Sequence, residues 1–75
     1  MRMIRLKLLR LRAGMTQEDL AARTGVPSAA ISMIETERMT KPYSSYVRRL
    51  ADGLGYKGSP YALTDVVETE LRSVE

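Results

Sequence analysis

The absence of cysteine from a chain of only 75 residues is the feature that most limits how this protein can fold. A domain of this size buries only about 60% of the surface that its unfolded chain exposes, and many small domains compensate with disulfides or a structural metal. Histidine is also absent, so the two side chains that hold most structural zinc ions are both missing. We therefore expect one small domain stabilised by packed aliphatic side chains, by dimerisation, or by both.

The same absences argue against catalysis. The chain has neither a thiolate nucleophile nor a histidine to act as a general base. Its Ser, Lys and Asp residues show no spacing that would place a general base next to a nucleophile. We expect no enzymatic activity, no metal and no cofactor. The only aromatic residues are four tyrosines, which argues against binding of single-stranded nucleic acid by base stacking.

The net charge of +3 is distributed unevenly along the chain. Residues 1–57 contain eleven cations and five anions, whereas residues 58–75 contain one cation and four anions. A basic surface favours an acidic partner, such as nucleic acid or an anionic membrane. The basic N-terminus lacks the unbroken apolar run of a signal peptide, and no run is long enough to span a membrane. We expect a cytoplasmic protein with no membrane partner, whose binding surface lies within residues 1–57.

Residues 1–12 fit two secondary structures. Apolar residues alternate with cations in part of this segment, as in a strand, and they also recur at helical spacing. We favour a helix because Leu, Arg, Lys and Met are good helix formers and Gly14 supplies a stop signal. If this segment is a helix, a second apolar stripe lies on another face of it and must be buried against another surface. This stripe consists of Ile4, Leu8 and Leu11.

Residues 16–24 carry the clearest helix signals in the chain. Thr16 followed three residues later by Asp19 approximates a capping box, and Gly25 is a typical C-terminal cap. A second segment with apolar residues at helical spacing runs from 28 to 35. Two short helices joined by a turn of about three residues predict a helix-turn-helix motif.

Two further helices are predicted after this motif. Residues 36–42 are polar and end in proline, which indicates a loop, and residues 44–53 form an amphipathic helix. Ser59 and Pro60 then begin an acidic amphipathic helix that reaches the C-terminus. Its apolar side would contain Leu63, Val66, Val67, Leu71 (or Glu70) and Val74. The prediction is an all-α protein with about five helices.

Several short elements keep a fixed spacing between residues 9 and 56. They are Gly14-Met15-Thr16-Gln17, Leu20-Ala21, Gly25-Val26, Ile31-Ser32 and Glu35. With this spacing the chain resembles the phage Cro and CI repressor (Xre-type) helix-turn-helix family. The resemblance implies a five-helix, lambda-repressor-like DNA-binding domain with its helix-turn-helix at about residues 16–35. Residues 1–57 would form that domain, and residues 58–75 would form a C-terminal acidic helix for packing or dimerisation.

The resemblance also implies which residues contact DNA. The second helix of the motif would enter the major groove, and the first helix and the loop after the motif would bind phosphates. The implied base contacts are Ser28, Ala29, Ser32 and Met33. The implied phosphate contacts are Thr16, Gln17, Arg38, Thr40, Lys41 and Tyr43. A structural ion pair between Arg10 and Glu35 is implied as well.

Some of these residues have simpler alternative roles. Ser28 can cap its helix, because Pro27 stands where a Ser or Thr cap is commoner. Met33 can belong to the core, and Gln17 and the loop cations can simply be solvated. For Arg48 and Arg49 we favour a position on a solvated helix face over a contact with DNA.

The chain also departs from the family pattern. Family recognition helices often present Gln, Asn, Arg or Lys, whose bidentate contacts with bases are worth about 1–3 kcal/mol each. This helix presents Ser, Ala and Met, so hydroxyl bonds, thymine methyl contacts and DNA shape would carry recognition. Glu37 stands where the family commonly has Gly, at the turn after the recognition helix.

The sequence therefore predicts a transcription regulator of repressor or controller type that binds a palindromic operator in double-stranded DNA as a homodimer. The dimer would form through the C-terminal helix and the stripe of Ile4, Leu8 and Leu11. The alternative is an antitoxin-like interaction module. In that case the C-terminal helix docks a partner protein and DNA binding is secondary.

Overall fold

A computed structural model describes residues 1–69 as four α-helices, a 3₁₀ helix and a two-stranded sheet. In chain order the elements are β1 (Arg2–Ile4), α1 (Arg5–Arg12), α2 (Gln17–Thr24), α3 (Ser28–Glu35), α4 (Ser44–Leu54), the 3₁₀ helix (Pro60–Thr64) and β2 (Val66–Glu68). None of the helices in this part of the chain is long and apolar enough to cross a membrane.

Helix α2 begins and ends at the predicted signals. The Thr16 hydroxyl accepts a hydrogen bond from the Asp19 backbone N at 2.9 Å, and Asp19 Oδ2 accepts one from the Thr16 backbone N at 3.0 Å. Hydrogen bonds to the Asp19 carboxyl from Thr16, first from its backbone N–H and then from its side chain, lower the pKa of that carboxyl below its ordinary value. At the other end Gly25 adopts a left-handed conformation with φ 79°, and its N–H donates to the Ala21 carbonyl. The predicted capping box and glycine cap are confirmed.

The elements enclose one core of aliphatic side chains. The core contains Ile4, Leu6, Leu20, Val26, Ala30, Ile31, Ile34, Leu50, Ala51 and Leu63. Every α-helix contributes at least one of these side chains, as do β1 and the 3₁₀ helix. Burial of aliphatic surface is the main stabilising term available to a chain that has no disulfide.

The N-terminal segment adopts both of the structures that its periodicity allowed. Residues Arg2–Ile4 form β1, and α1 begins only at Arg5. Strand β1 pairs antiparallel with β2, so that Met3 lies opposite Val67. The preference for a helix was therefore wrong at the first residues. A strand requires a partner, and this partner lies at the far end of the described chain.

The predicted fifth helix does not form within its described part. Residues Pro60–Thr64 form a 3₁₀ helix, and Val66–Glu68 form a strand. Two adjacent β-branched valines favour a strand over a helix once an edge is available for pairing. The all-α, five-helix prediction is corrected accordingly: the fold is mostly helical, with a small sheet. Glu70, Leu71 and Val74, which the sequence placed on that helix, lie outside the described residues.

The apolar stripe that was expected to need cover is largely covered by the chain itself. Ile4 and Leu8 are buried, whereas the side chain of Leu11 is 43% exposed. Because Ile4 and Leu8 are buried within the chain, they are not accessible to a second copy. The predicted dimer interface between this stripe and a C-terminal helix is therefore not supported over residues 1–69.

We predict that Leu63→Ala lowers the free energy of unfolding by about 2–5 kcal/mol, because Leu63 is fully buried and its loss leaves a cavity. Urea denaturation followed by circular dichroism measures the change. The matched control is Val66→Ala, at a more exposed position in β2, which should cost less than about 1 kcal/mol. Equal losses in the two variants would show that the 3₁₀ helix does not belong to the core.

Candidate nucleic-acid interface

Helix α3 has one buried and one outward face. Ala30, Ile31 and Ile34 are buried in the core. Residues at positions one, two, five and six of a helix share a face. Here those positions are partly or fully exposed, and they are Ser28, Ala29, Ser32 and Met33. The structure thus brings the four predicted base contacts together on a single accessible surface.

Two of the simpler alternatives for α3 do not hold. Pro27, not Ser28, occupies the N-cap position, and no side-chain hydrogen bond caps the helix. Ser28 is the first residue of α3 itself and is half-buried. Met33 is 39% exposed and lies outside the core. The Ser28 hydroxyl and the Met33 side chain are therefore placed where a ligand could contact them.

A buried ion pair ties α3 to α1. Arg10 Nε donates to Glu35 Oε2 at 2.8 Å, and Arg10 Nη2 donates to Glu35 Oε1 at 2.9 Å. The two side chains are only 9% and 3% exposed. The hydrogen bond to Glu35 raises the pKa of Arg10 above its ordinary value, against the opposing effect of burial. Arg10 Nη1 also donates to the Met15 carbonyl at 2.8 Å, so Arg10 additionally holds the turn before α2.

Gln17 joins the same network from α2. Its Nε2 donates to Glu35 Oε1 at 3.0 Å, so the Glu35 carboxylate links all three of the first helices. Because an amide nitrogen carries two hydrogens, Gln17 retains one N–H for another acceptor. The bond to Glu35 therefore holds the Gln17 side chain, which the sequence predicts to contact a phosphate, in one orientation.

The start of α2 offers further donors next to this amide. The first-turn N–H groups of Gln17 and Glu18 have no acceptor within an α-helix. Those of Thr16 and Asp19 are already used by the capping box. The Thr16 hydroxyl is also engaged with Asp19, because it accepts from the Asp19 backbone N and its side chain bonds to the Asp19 carboxyl. The donors that remain at this helix end are the N–H groups of Gln17 and Glu18. A phosphate at this helix end would meet these donors and the positive end of the helix dipole.

The loop after α3 is shaped by a turn in which Glu37 has a φ of 64°. Residues with a side chain rarely adopt this left-handed conformation, at a cost of roughly 1–2 kcal/mol. The Arg38 and Met39 N–H groups both donate to the Met33 carbonyl, at 2.8 and 3.0 Å. These bonds close the end of α3 and hold the turn without the glycine that is commoner there.

The predicted phosphate contacts of this loop all lie on the surface. Arg38, Thr40, Lys41 and Tyr43 are exposed. Within residues 1–69 neither Arg38 nor Lys41 takes part in an ion pair, so both cations are available to an anionic ligand. The Tyr43 ring meets the Tyr46 ring edge-on, with 5.2 Å between centroids, near the start of α4.

Two residues near this surface were missed or discounted by sequence reasoning. The Arg49 Nη1 atom lies 3.6 Å from the position that a Cβ on Gly25 would take, beside the turn between α2 and α3. The Tyr61 hydroxyl donates to the Pro42 carbonyl at 2.7 Å, at the end of the loop. No spacing rule connects either pair, because each contact joins elements that are distant in the sequence.

Comparison with protein families identifies the helix-turn-helix. The model of the helix-turn-helix domain family matches residues 4–62, which include both helices of the motif. The chain therefore belongs to the helix-turn-helix domain family, a family of DNA-binding domains. Comparison with curated proteins and with solved structures found no match.

We predict that Glu35→Ala lowers the free energy of unfolding by about 3–5 kcal/mol, because it leaves the buried Arg10 guanidinium without its partner. Urea denaturation at neutral pH measures the loss. The double variant Arg10→Met with Glu35→Leu, which replaces both charges by apolar groups, should lose clearly less. A loss below about 1 kcal/mol in Glu35→Ala would contradict the structural role of the pair.

Proposed function

We propose that this protein is a cytoplasmic transcription regulator of the Cro/CI (Xre) type, which binds specific sites in double-stranded DNA and represses transcription by occupying them. The observation that carries the proposal is the exposed face of α3. It holds four side chains that can meet base edges. The Gln17 amide donates to Glu35 at the C-terminal end of α3, and the loop that carries Arg38 and Lys41 follows that end in the chain. The proposed ligand contacts are noncovalent, and the proposal includes no catalytic step, metal or cofactor.

Phosphate contacts would supply most of the affinity. The proposed donors are the Gln17 side chain, the free N–H groups at the start of α2, and the exposed cations Arg38 and Lys41. Each neutralised phosphate releases condensed counterions, so binding should weaken as the salt concentration rises. The contacts would also fix the register of α3 in the major groove.

Base contacts would supply the specificity. The Ser28 and Ser32 hydroxyls can donate to or accept from base edges, and Ala29 and Met33 can contact thymine methyl groups. These contacts discriminate less strongly than bidentate Arg or Gln pairs. A single copy of α3 is therefore expected to recognise only a few base pairs weakly.

Weak recognition by one helix favours binding as a homodimer. Two copies of α3 would read two half-sites about 34 Å apart, and the operator would be a palindrome. Doubling the contacts raises the specificity without any new type of side chain.

We predict that selection from random duplexes recovers a defined sequence, and that Arg38→Ala with Lys41→Ala weakens binding to it. Each lost phosphate contact should reduce the slope of log affinity against log salt by about 0.9. Two substitutions in each of the two bound chains remove four contacts, so the slope should fall by about 3.6. Fluorescence anisotropy over a salt series measures this. The matched control is Arg48→Ala with Lys57→Ala, which removes the same charge from exposed sites outside the loop and should keep the slope.

The outcome that contradicts the proposal is a selection with no enrichment above random sequence. A protein that instead captures a partner protein and shows no sequence preference would favour the antitoxin-like alternative. A control variant that loses as much slope as the loop variant would contradict the assignment of the phosphate contacts to the loop.

We further predict that two chains occupy each selected site. Light scattering of the complex with a selected duplex gives the mass of the bound protein, and the recovered sequence should have two-fold symmetry. Inserting five base pairs between the half-sites should abolish tight binding, because it places the second half-site on the opposite side of the duplex. One chain bound to an asymmetric site would contradict the homodimer.

A further inference from the structure

The 3₁₀ helix reaches across to the loop that follows α3. The Tyr61 hydroxyl donates to the Pro42 carbonyl at 2.7 Å, and Pro42 is buried at the end of that loop. We propose that Tyr61 is a positioning residue for DNA binding: it holds the loop that carries Arg38 and Lys41 in its binding conformation. The inference rests on the proposed function and adds to it a residue that would not itself need to touch DNA.

The 3₁₀ helix that carries Tyr61 is held against the rest of the domain by several contacts. Leu63, in the same 3₁₀ helix, is fully buried in the core. Arg5 of α1 holds the helix from another side, because its backbone N donates to the Asp65 carbonyl at 2.7 Å and its Nη1 donates to the Ala62 carbonyl at 3.1 Å. An ion pair between Arg5 and Asp65 adds to these contacts. The Tyr61 hydroxyl is therefore presented by a segment that is fixed to the body of the domain.

The loop is anchored at both of its ends. At its start, the Arg38 and Met39 N–H groups donate to the Met33 carbonyl. At its end, Pro42 receives the bond from Tyr61. The residues between these anchors are Thr40 and Lys41, both exposed and both proposed phosphate contacts. The Tyr61 bond thus restrains the half of the loop that the bonds to Met33 do not reach.

The restraint matters because binding must otherwise order the loop. Immobilising flexible residues on association costs free energy, and a loop already held in its bound shape avoids that cost. Loss of the Tyr61 hydroxyl should therefore weaken DNA binding even though every proposed DNA contact remains in place. The effect should also depend on the loop cations, since a loop without them contributes little to binding.

The test is Tyr61→Phe, which removes the hydroxyl and keeps the ring. Its matched control is Tyr46→Phe, because within residues 1–69 the Tyr46 hydroxyl makes no hydrogen bond, in contrast to those of Tyr56 and Tyr61. Binding of the selected duplex should weaken roughly threefold to tenfold for each bound chain in Tyr61→Phe, the range expected for one lost hydrogen bond per chain. It should stay within about twofold of the unmodified protein in Tyr46→Phe.

A second measurement separates positioning from a general loss of stability. In the Arg38→Ala with Lys41→Ala background, adding Tyr61→Phe should cost less than about twofold, because the positioned cations are gone. Without DNA, amide hydrogen exchange over residues 38–43 should be faster in Tyr61→Phe than in Tyr46→Phe. An equal loss of affinity in both backgrounds, or unchanged exchange in the loop, would overturn the positioning role.

The failure of this inference can be told apart from the failure of the proposed function. If the unmodified protein binds its duplex and Tyr61→Phe binds as tightly as Tyr46→Phe, the positioning role is overturned and the proposed function stands. If the unmodified protein binds no duplex selectively, the proposed function fails, and the role of Tyr61 in DNA binding fails with it.

Discussion

The hydrogen bonds received by the Glu35 carboxylate are the interaction on which the candidate interface depends. Arg10 of α1 and Gln17 of α2 both donate to this one group at the end of α3. A buried carboxylate is tolerated only when it is paired and its oxygens are satisfied. Because the donors come from two other helices, satisfying Glu35 also fixes the orientation of α3 against α1 and α2. The same contact holds the Gln17 amide in place, and one of its N–H groups is left for the proposed phosphate contact.

The two ends of the described chain close the domain around that arrangement. Strands β1 and β2 pair, and the 3₁₀ helix buries Leu63 in the core. A chain without disulfides gains stability only from such noncovalent contacts. The segment 60–68 is therefore an integral part of the domain formed by the four α-helices. Through Tyr61 it also contacts the loop beyond α3, so closure of the core and the shape of the interface are linked.

In the proposed complex, affinity and specificity would come from different parts of the interface. The outward face of α3 carries no charged side chain among its four proposed base contacts, and the two cations proposed as phosphate contacts, Arg38 and Lys41, lie in the following loop. Phosphate contacts of this kind position a protein on DNA, whereas base contacts specify the site. With only hydroxyl and apolar groups on α3, specificity in the proposed complex would depend on how firmly the surrounding elements hold this helix. Residues that are distant from α3 in the sequence would then also contribute to the proposed recognition.

Local signals in the sequence were enough to determine the helix-turn-helix. The capping box at Thr16, the glycine cap at Gly25 and the apolar spacing of α3 depend on neighbouring residues only, and each predicted its element correctly. The sheet could not be predicted in this way, because β1 and β2 satisfy each other across the whole described chain. The valines of β2 fit an amphipathic helix or a strand until a pairing edge decides between them. The contact between Tyr61 and Pro42 was likewise decided only by the tertiary structure, which brings together two segments that share no local pattern.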